Sequence, residues 1–419
     1  MRQNESSLPA SFRRLVIAWF AGQCAEGMRF AALPLLTLTT DASPTSVAAV
    51  AAAASLPWLL VALPAGILVD RISPAWAIAG ANLARAIVVG LLVVAILGGF
   101  VSIPLLAVAG FALTTAETFA DSGAQTLLVR IVPLNALERA NSRFVSSENV
   151  GLDLLGPLAA GVLFVMNPWV PFAIGGVIFV VAAGVVASLS GSRPTDRPEP
   201  DRTGSEPGPA RSTISGAFRI IFGNRMLRSL VITVTVLAAS AGAMEGVLVL
   251  YATQSIGLSK SLYPTLLAGY SVGLLISAGF VPRLAARYRS GSLMLVAVGV
   301  VGGALVLLGV LPHQIVAWVA FATMGAAGGL WNILSASRRQ RGTPPHATAA
   351  VSSAFRTVSW GAVPIGAAVG GLVADRWGVP ATFVLAGVGA LLIGAIMARN
   401  LLVSEPISEP ATVAEPTER

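Results

Sequence analysis

Long apolar runs fill almost the whole chain, and nothing else in it restricts the fold as much. A helix needs about 20 mostly apolar residues to cross a bilayer. Twelve such runs can be placed, at 14–39, 44–69, 75–98, 102–130, 137–166, 168–189, 225–256, 260–286, 291–311, 313–340, 346–376 and 379–402. Charged residues make up 11% of the 419 positions, against roughly 25% in a soluble domain. A transmembrane β-barrel would show short alternating segments instead. The pattern therefore predicts an all-α integral membrane protein with twelve transmembrane helices, with the lipid bilayer as its first partner.

The formal net charge is +8, but its placement argues against nucleic acid as a partner. Arg13, Arg14, Arg71, Arg130, Arg139, Arg143, Arg283, Arg287, Arg289, Arg338, Arg339 and Arg341 fall on one side of the predicted topology. Lys260 and Arg376 fall on the other. This asymmetry is the positive-inside pattern, and it places both termini in the cytoplasm. The near-absence of lysine beside many arginines points to a GC-rich bacterial host and so to a bacterial cell (inner) membrane. Arg13 and Arg14 precede an apolar stretch too long for a signal-peptide core, which predicts an uncleaved first helix. The single cysteine, Cys24, allows no disulfide within the chain, and no Cys/His metal spacing occurs. His313 and His346 lie far apart in the topology. No metal site is expected, and a membrane-embedded enzyme finds no nucleophile–base set.

Residues 191–212, "GSRPTDRPEPDRTGSEPGPARS", are too polar and too rich in Pro and Gly to bury a core. They read as a cytoplasmic linker between a six-helix half at 1–190 and a second half at 213–402. The second half opens with an amphipathic segment, "TISGAFRIIFGNRMLR". Residues 403–419 read as a disordered cytoplasmic tail. The halves share traces of a repeat. Gly151, Gly156 and Gly161 match Gly361, Gly366 and Gly371, and Glu26-Gly27 is echoed at Glu245-Gly246.

The first helix, "WFAGQCAEGMRFAALPLLTL", carries Glu26 and Arg29 near its middle. A charge at that depth costs about 2.5 to 3.5 kcal/mol on insertion scales. Spacing of three and four residues puts Glu26 with Arg29, and Glu117 with Asp121, on shared helix faces. Glu245 sits in the seventh helix. Such residues face an aqueous cavity or one another, not lipid. A self-neutralising structural pair accounts for Glu26 and Arg29, but not for Glu117, Asp121 and Glu245, which would need Arg29 or a more distant partner such as Arg85. Acids crowded together exchange protons near neutral pH, and they favour cationic or amphiphilic cargo.

Several motifs carry a resemblance. "GILVDR" at 66–71, "ALPLL" at 32–36, "LVRIVPLNALERANSR" at 128–143, "GPLAAG" at 156–161 and "GGLVADRWG" at 370–378 together resemble major facilitator transporters. Within them they resemble the branch of macrolide-efflux and enterobactin-export proteins. The resemblance implies the major facilitator fold, two pseudo-symmetric six-helix halves, and a central cavity lined by the first, fourth, seventh and tenth helices. Glu26, Arg29, Glu117, Asp121, Glu245 and Trp331 would then handle substrate and protons. Trp19, Phe30, Phe119 and Tyr251 would offer aromatic walls. Gly66, Asp70, Arg71 and Arg130 would gate, with Asp70 latching onto the eleventh helix near His346 and Gly66 admitting a close backbone. Asp70 also reads simply as a topology anchor, and "DRISPAW" departs from the usual motif continuation. Gly156, Pro157 and Gly161 partly match a bendable fifth-helix motif associated with exporters. Ordinary helix packing accounts for them as well.

The expected function is a non-enzymatic secondary transporter, most simply a proton-coupled antiporter exporting amphiphilic or cationic small molecules. The alternatives are uptake of a cationic nutrient and a non-transporting ligand sensor. No phosphate-binding loop is present, so no cofactor is expected beyond the proton gradient. The chain is expected to work as a monomer.

Overall fold

In the computed structural model, the described residues are 8–69, 71–191, 214–344 and 347–402. Among them the chain is helical throughout. The first half comprises α1 (Ala10–Thr40), α2 (Pro44–Ser55), α3 (Pro57–Leu60), α4 (Ala62–Val69), α5 (Pro74–Gly98), α6 (Ile103–Ile131), α7 (Leu137–Asn149), α8 (Gly156–Met166) and α9 (Val170–Ala187). The second comprises α10 (Ile214–Gly223), α11 (Arg225–Leu250), α12 (Pro264–Arg287), α13 (Ser290–Val310), α14 (Gln314–Arg341), α15 (Thr348–Trp377) and α16 (Val379–Leu402). Segments α2–α4 form one spanning rod broken near Pro57, and α7–α8 form another. Among the described residues, ten helices are long and apolar enough to cross a membrane by length and composition. The other two rods are α1, which carries Arg13, Arg14, Glu26 and Arg29, and the interrupted α2–α4. Helices occupy all twelve predicted runs, within a few residues of their expected ends. The amphipathic stretch forms α10. The linker at 191–212, apart from Gly191, and the tail lie outside the described residues.

Turn chemistry sets the helix ends. Ser43 caps α2 by accepting from the Ser46 backbone N–H at 3.3 Å, and Pro44 starts that helix. Gly99 ends α5 at a φ of 72°, a left-handed position that suits glycine. Two stretches depart from α-geometry: Val150–Leu155, between α7 and α8, and Tyr251–Ser255, after α11, are π-helical. The first directly precedes Pro157. Widening the turn there accommodates a proline that lacks a backbone N–H, so the expected bend in the fifth span is built as a π segment.

Glycine approaches reveal the duplication. A Cβ on Gly156 would lie 2.7 Å from the Cα of Gly27 on α1, and one on Gly366 would meet the backbone of Ala239 on α11. Gly161 faces Pro264 at the start of α12, and Gly371 faces Ala48 and Pro44 at the start of α2. These two pairs of repeated glycines thus meet equivalent helices of the pseudo-symmetric arrangement, whereas Gly151 meets α1 and its partner Gly361 meets Leu59 of α3.

Contacts between the halves run from the face bearing the α1–α2 turn to mid-span. They include Trp58 against Trp360 at 5.7 Å, Gly161 against Pro264, and the Ser271 hydroxyl donating to the Asp153 carbonyl at 2.8 Å. Nearer the face that carries the chain ends, α4 packs on α6, and α7 packs on α1, each within its own half. Among the described residues, the halves therefore splay toward the end-bearing face.

Candidate functional site

At mid-span of α1, Glu26 and Arg29 stand one turn apart and are almost wholly buried, at 1% and 7% exposure. The Arg29 Nε donates to Glu26 Oε1 at 2.5 Å, and its Nη2 bonds the same oxygen. That Nη2 also reaches Thr114 Oγ1 at 3.5 Å and Glu117 Oε2 at 3.8 Å, both on α6. Thr114 and Glu117 are three residues apart, so one face of α6 presents a hydroxyl and a carboxylate to the same guanidinium. A buried ion pair compensates its desolvation only when further hydrogen bonds satisfy it. Here Glu26 Oε2 still has no partner.

Asp121, one turn farther along α6, is half-buried, and its Oδ1 is buried without a partner. The charges of Glu148 and Arg356 act on it from α7 and α15. These groups line the splayed side of the interface. Arg356 is exposed, Glu148 half-buried, and the carboxyl charge nearest Glu245 is that of Asp153, in the π-helical turn of the other half. The arrangement can thus hold protons or a cation in a graded series from the buried Glu26 to the more open Asp121.

The structure gathers Glu26, Arg29 and Glu117, with Asp121 beside them. Glu245 is half-buried on α11 and belongs to a second grouping, with Asp153 and the Tyr263 and Tyr270 hydroxyls within reach of its charge. Trp331 is not drawn to the acids. It lies in an apolar cluster of the second half with Leu230, Met294, Leu334 and Phe355, because tenth-span residues that far along α14 face α11, α13 and α15.

Three aromatic walls must be reassigned. Tyr251 is fully buried, stacks near Phe383 at 4.3 Å, and donates to the Leu308 carbonyl at 2.7 Å, so it is core. Trp19 is buried and stacks on Phe144 at 4.9 Å. Phe30 is 40% exposed, so α1 turns it away from the buried face that holds Arg29.

Among the gating residues, Gly156, Pro157 and Gly161 are buried at close helix approaches. Gly66 is corrected: a Cβ there would meet nothing within 4 Å, since the halves stand apart at its end of the molecule. Arg71 is exposed in the α4–α5 turn, and Arg130 is exposed in the last turn of α6. Asp70 and His346, the two ends of the expected latch, lie outside the described residues. Among the described residues, no three His, Cys, Asp or Glu side chains cluster closely enough to hold a metal ion.

Sequence reading passed over Thr114 and gave Arg85 only a distant role. Arg85 is 1% exposed on α5 and packs over the Phe179 ring at 5.2 Å. Its signal was available, because it is the one charged residue of an apolar 25-residue helix.

Comparison with known proteins agrees with this architecture. The sequence pattern of the Major Facilitator Superfamily matches residues 15–364. An uncharacterized MFS-type transporter of Sinorhizobium fredii (strain NBRC 101917 / NGR234) is 25% identical over 397 residues, 92% of this chain and 94% of that one. Among solved structures, a bacterial homologue of the human lysosomal transporter Spinster, in an inward-facing and unoccupied conformation, superposes with a TM-score of 0.72. It is 14% identical and covers 94% of this chain and 97% of its own. The nucleoside transporter NupG gives 0.73 at 14% identity, over 95% of this chain and all of its own. The E. coli fucose:proton symporter gives 0.60 at 16% identity, over 94% and 98%.

Proposed function

The chain belongs to the Major Facilitator Superfamily and is a multi-pass secondary transporter of that type, and on that premise we propose that it exports amphiphilic or cationic small molecules in exchange for protons. The observation that carries this reading is the buried Glu26–Arg29–Glu117 cluster grading into the half-buried Asp121. Three carboxyls share one directly paired guanidinium, so protons or a cationic cargo complete the charge balance. Competition between the two for the same carboxyls is the simplest coupling for antiport. In alternating access, the halves rock about this mid-span site. Gly161 against Pro264 and Gly371 against Pro44 form the closed side, and proton binding shifts the balance between facings. The motifs "LVRIVPLNALERANSR" and "GPLAAG" favour the macrolide-efflux and enterobactin-export branch. Arginine placement favours cytoplasmic termini in a bacterial inner membrane, which would make the splayed side the inward one.

A second reading, proton-coupled uptake, draws on the fold neighbours described as a nucleoside transporter and a fucose:proton symporter.

The deciding experiment measures accumulation of cationic, neutral and anionic amphiphiles in an efflux-deficient bacterium expressing the protein, with and without an uncoupler. Lower accumulation abolished both by the uncoupler and by Glu26→Gln is expected. Higher accumulation under the same controls would overturn export in favour of uptake. No change across the panel would sink broad export.

A further inference from the structure

Behind the acid cluster, between α1, α5 and α9, a small enclosed chamber is lined by Trp19, Gln23, Asn82, Arg85 and Val186. Its free space is about 10 Å³, the room one water occupies. The Arg85 Nε and Nη2 are buried there without protein partners, and so is Gln23 Oε1. Two donors and one acceptor around a water-sized space match what a single water can satisfy.

Arg85 stands on α5, which packs directly on α6, the helix of Glu117 and Asp121. It forms no ion pair with either, nor with Glu26, yet its charge acts on all three. A guanidinium cannot shed its proton in a protein. A buried charge held short of its counter-ions still interacts strongly with them through a medium of low dielectric. The charges acting on the α6 carboxyls are otherwise that of Asp121 on Glu117 within α6, Glu26 and Arg29 on α1, Glu148 on α7 and the exposed Arg356 on α15. Arg85 is therefore the second fully buried cation beside Glu26 and Glu117, and it balances the carboxylate that Arg29 alone leaves over.

We propose that Arg85 is a positioning residue of the proton site: a counter-charge, held off direct pairing in its water-sized chamber, that sets how tightly the α6 carboxyls keep a proton. The inference rests on proton handling at this cluster. Contact with Glu117 or Asp121 would lock the carboxylate as Arg29 locks Glu26, whereas action at a distance leaves it free to exchange.

The test compares wild type with Arg85→Lys, Arg85→Gln and Arg85→Gln/Glu117→Gln. The first readout is the unfolding temperature of detergent-solubilised protein from pH 5 to 8, which requires no transport. Without the counter-charge, a carboxyl binds a proton more tightly folded than unfolded. Such a group contributes stability at low pH that is lost as pH rises. Arg85→Gln should therefore lose roughly 2 °C or more relative to wild type between pH 5 and 8. Arg85→Lys and the charge-balanced double variant should run parallel to wild type. If Arg85→Gln is not recovered folded, a higher yield of the double variant supports the proposal, and equally poor yields overturn it. Parallel curves for all four proteins also overturn it. The second readout is the pH profile of ethidium transport in everted vesicles, which should move about tenfold in proton concentration toward alkaline pH in Arg85→Gln and return in Arg85→Lys. Failure of wild type to move ethidium counts against cation export, while the unfolding curves still decide the role of Arg85.

Discussion

The two halves place a carboxylate at equivalent positions of their first helices and treat it in opposite ways. Glu26 is held by Arg29 one turn on and is almost fully buried. Its counterpart, Glu245, has buried Leu248 at the position matching Arg29, is half-buried, and feels a carboxylate, Asp153, from the other half. The next helix face repeats the contrast. Glu117 and Asp121 stand on α6, whereas the buried face of α14 carries Phe321, Met324, Trp331 and Leu334. Duplication kept the packing scaffold, since Gly156 and Gly366 make matching approaches, and let the charges diverge. One half pairs its carboxylate directly with a guanidinium, and the other holds an acid on which a carboxylate and two tyrosines act. The comparison teaches that two halves sharing one packing scaffold need not share their buried charges.

Breaking the first-half pair should produce the largest effect. Arg29→Leu strands Glu26 as an uncompensated buried charge, at about 3–5 kcal/mol. Denaturation of the purified protein should show that loss, and Glu26→Gln/Arg29→Leu should recover most of it. Glu245→Gln should change stability by less than about 1 kcal/mol, because it removes no partner. An equally large loss there would erase the contrast between the halves.

Gly156→Val and Gly366→Val probe what the halves share. Each forces a side chain into a helix–helix contact, and overpacking costs about 1–3 kcal/mol or more. Matched losses in unfolding temperature are expected. Tolerance at one site alone would mean that the packing has diverged along with the charge.

Tyr251, which takes the place of Ala32 of the first half, donates to the Leu308 carbonyl from a fully buried site. Tyr251→Phe should cost roughly 1 kcal/mol and leave transport unchanged, which separates this core residue from the site.

The smallest effect belongs to the α1–α2 turn. Asp41 accepts from the Ser46 hydroxyl and from the Ser43 backbone N–H, and these bonds hold its carboxyl below the usual carboxylate range. A lowered folded value contributes stability above the unfolded value, near 3.9, and loses it as pH falls through the folded one. Asp41→Asn should therefore flatten the stability curve slightly below pH 4, and leave it unchanged above pH 6 apart from a constant offset.

Much of this was legible in the residues. The helix boundaries follow from apolar run length and from Pro and Gly punctuation, as at Pro44, Pro74 and Gly99. The pairing of Glu26 with Arg29 follows from helical spacing alone. Thr114 was not legible, since a hydroxyl in an apolar helix carries no sign of which guanidinium it meets. Pro157 signalled a disturbance of the fifth span, but not that it takes the form of a π segment at 150–155, and no local residue signalled the one at 251–255. The open space at Gly66 depends on how far apart the halves stand, which no local pattern encodes.

By itself, the sequence determined that this chain is a multi-pass helical membrane protein, that its two halves are related, and that acids lie near the middle of apolar helices. These are consequences of periodicity, run length and desolvation, all of which act within a single helix. Tertiary structure alone decided which charges touch. Arg29 reaches α6, Arg85 stops short of it, and Tyr251 and Trp19 turn to the core. The reason is that ion pairing and hydrogen bonding act over a few ångströms. Whether two residues from different helices come that close is settled by rotation and crossing of whole helices, which follow from the packing of every residue along them.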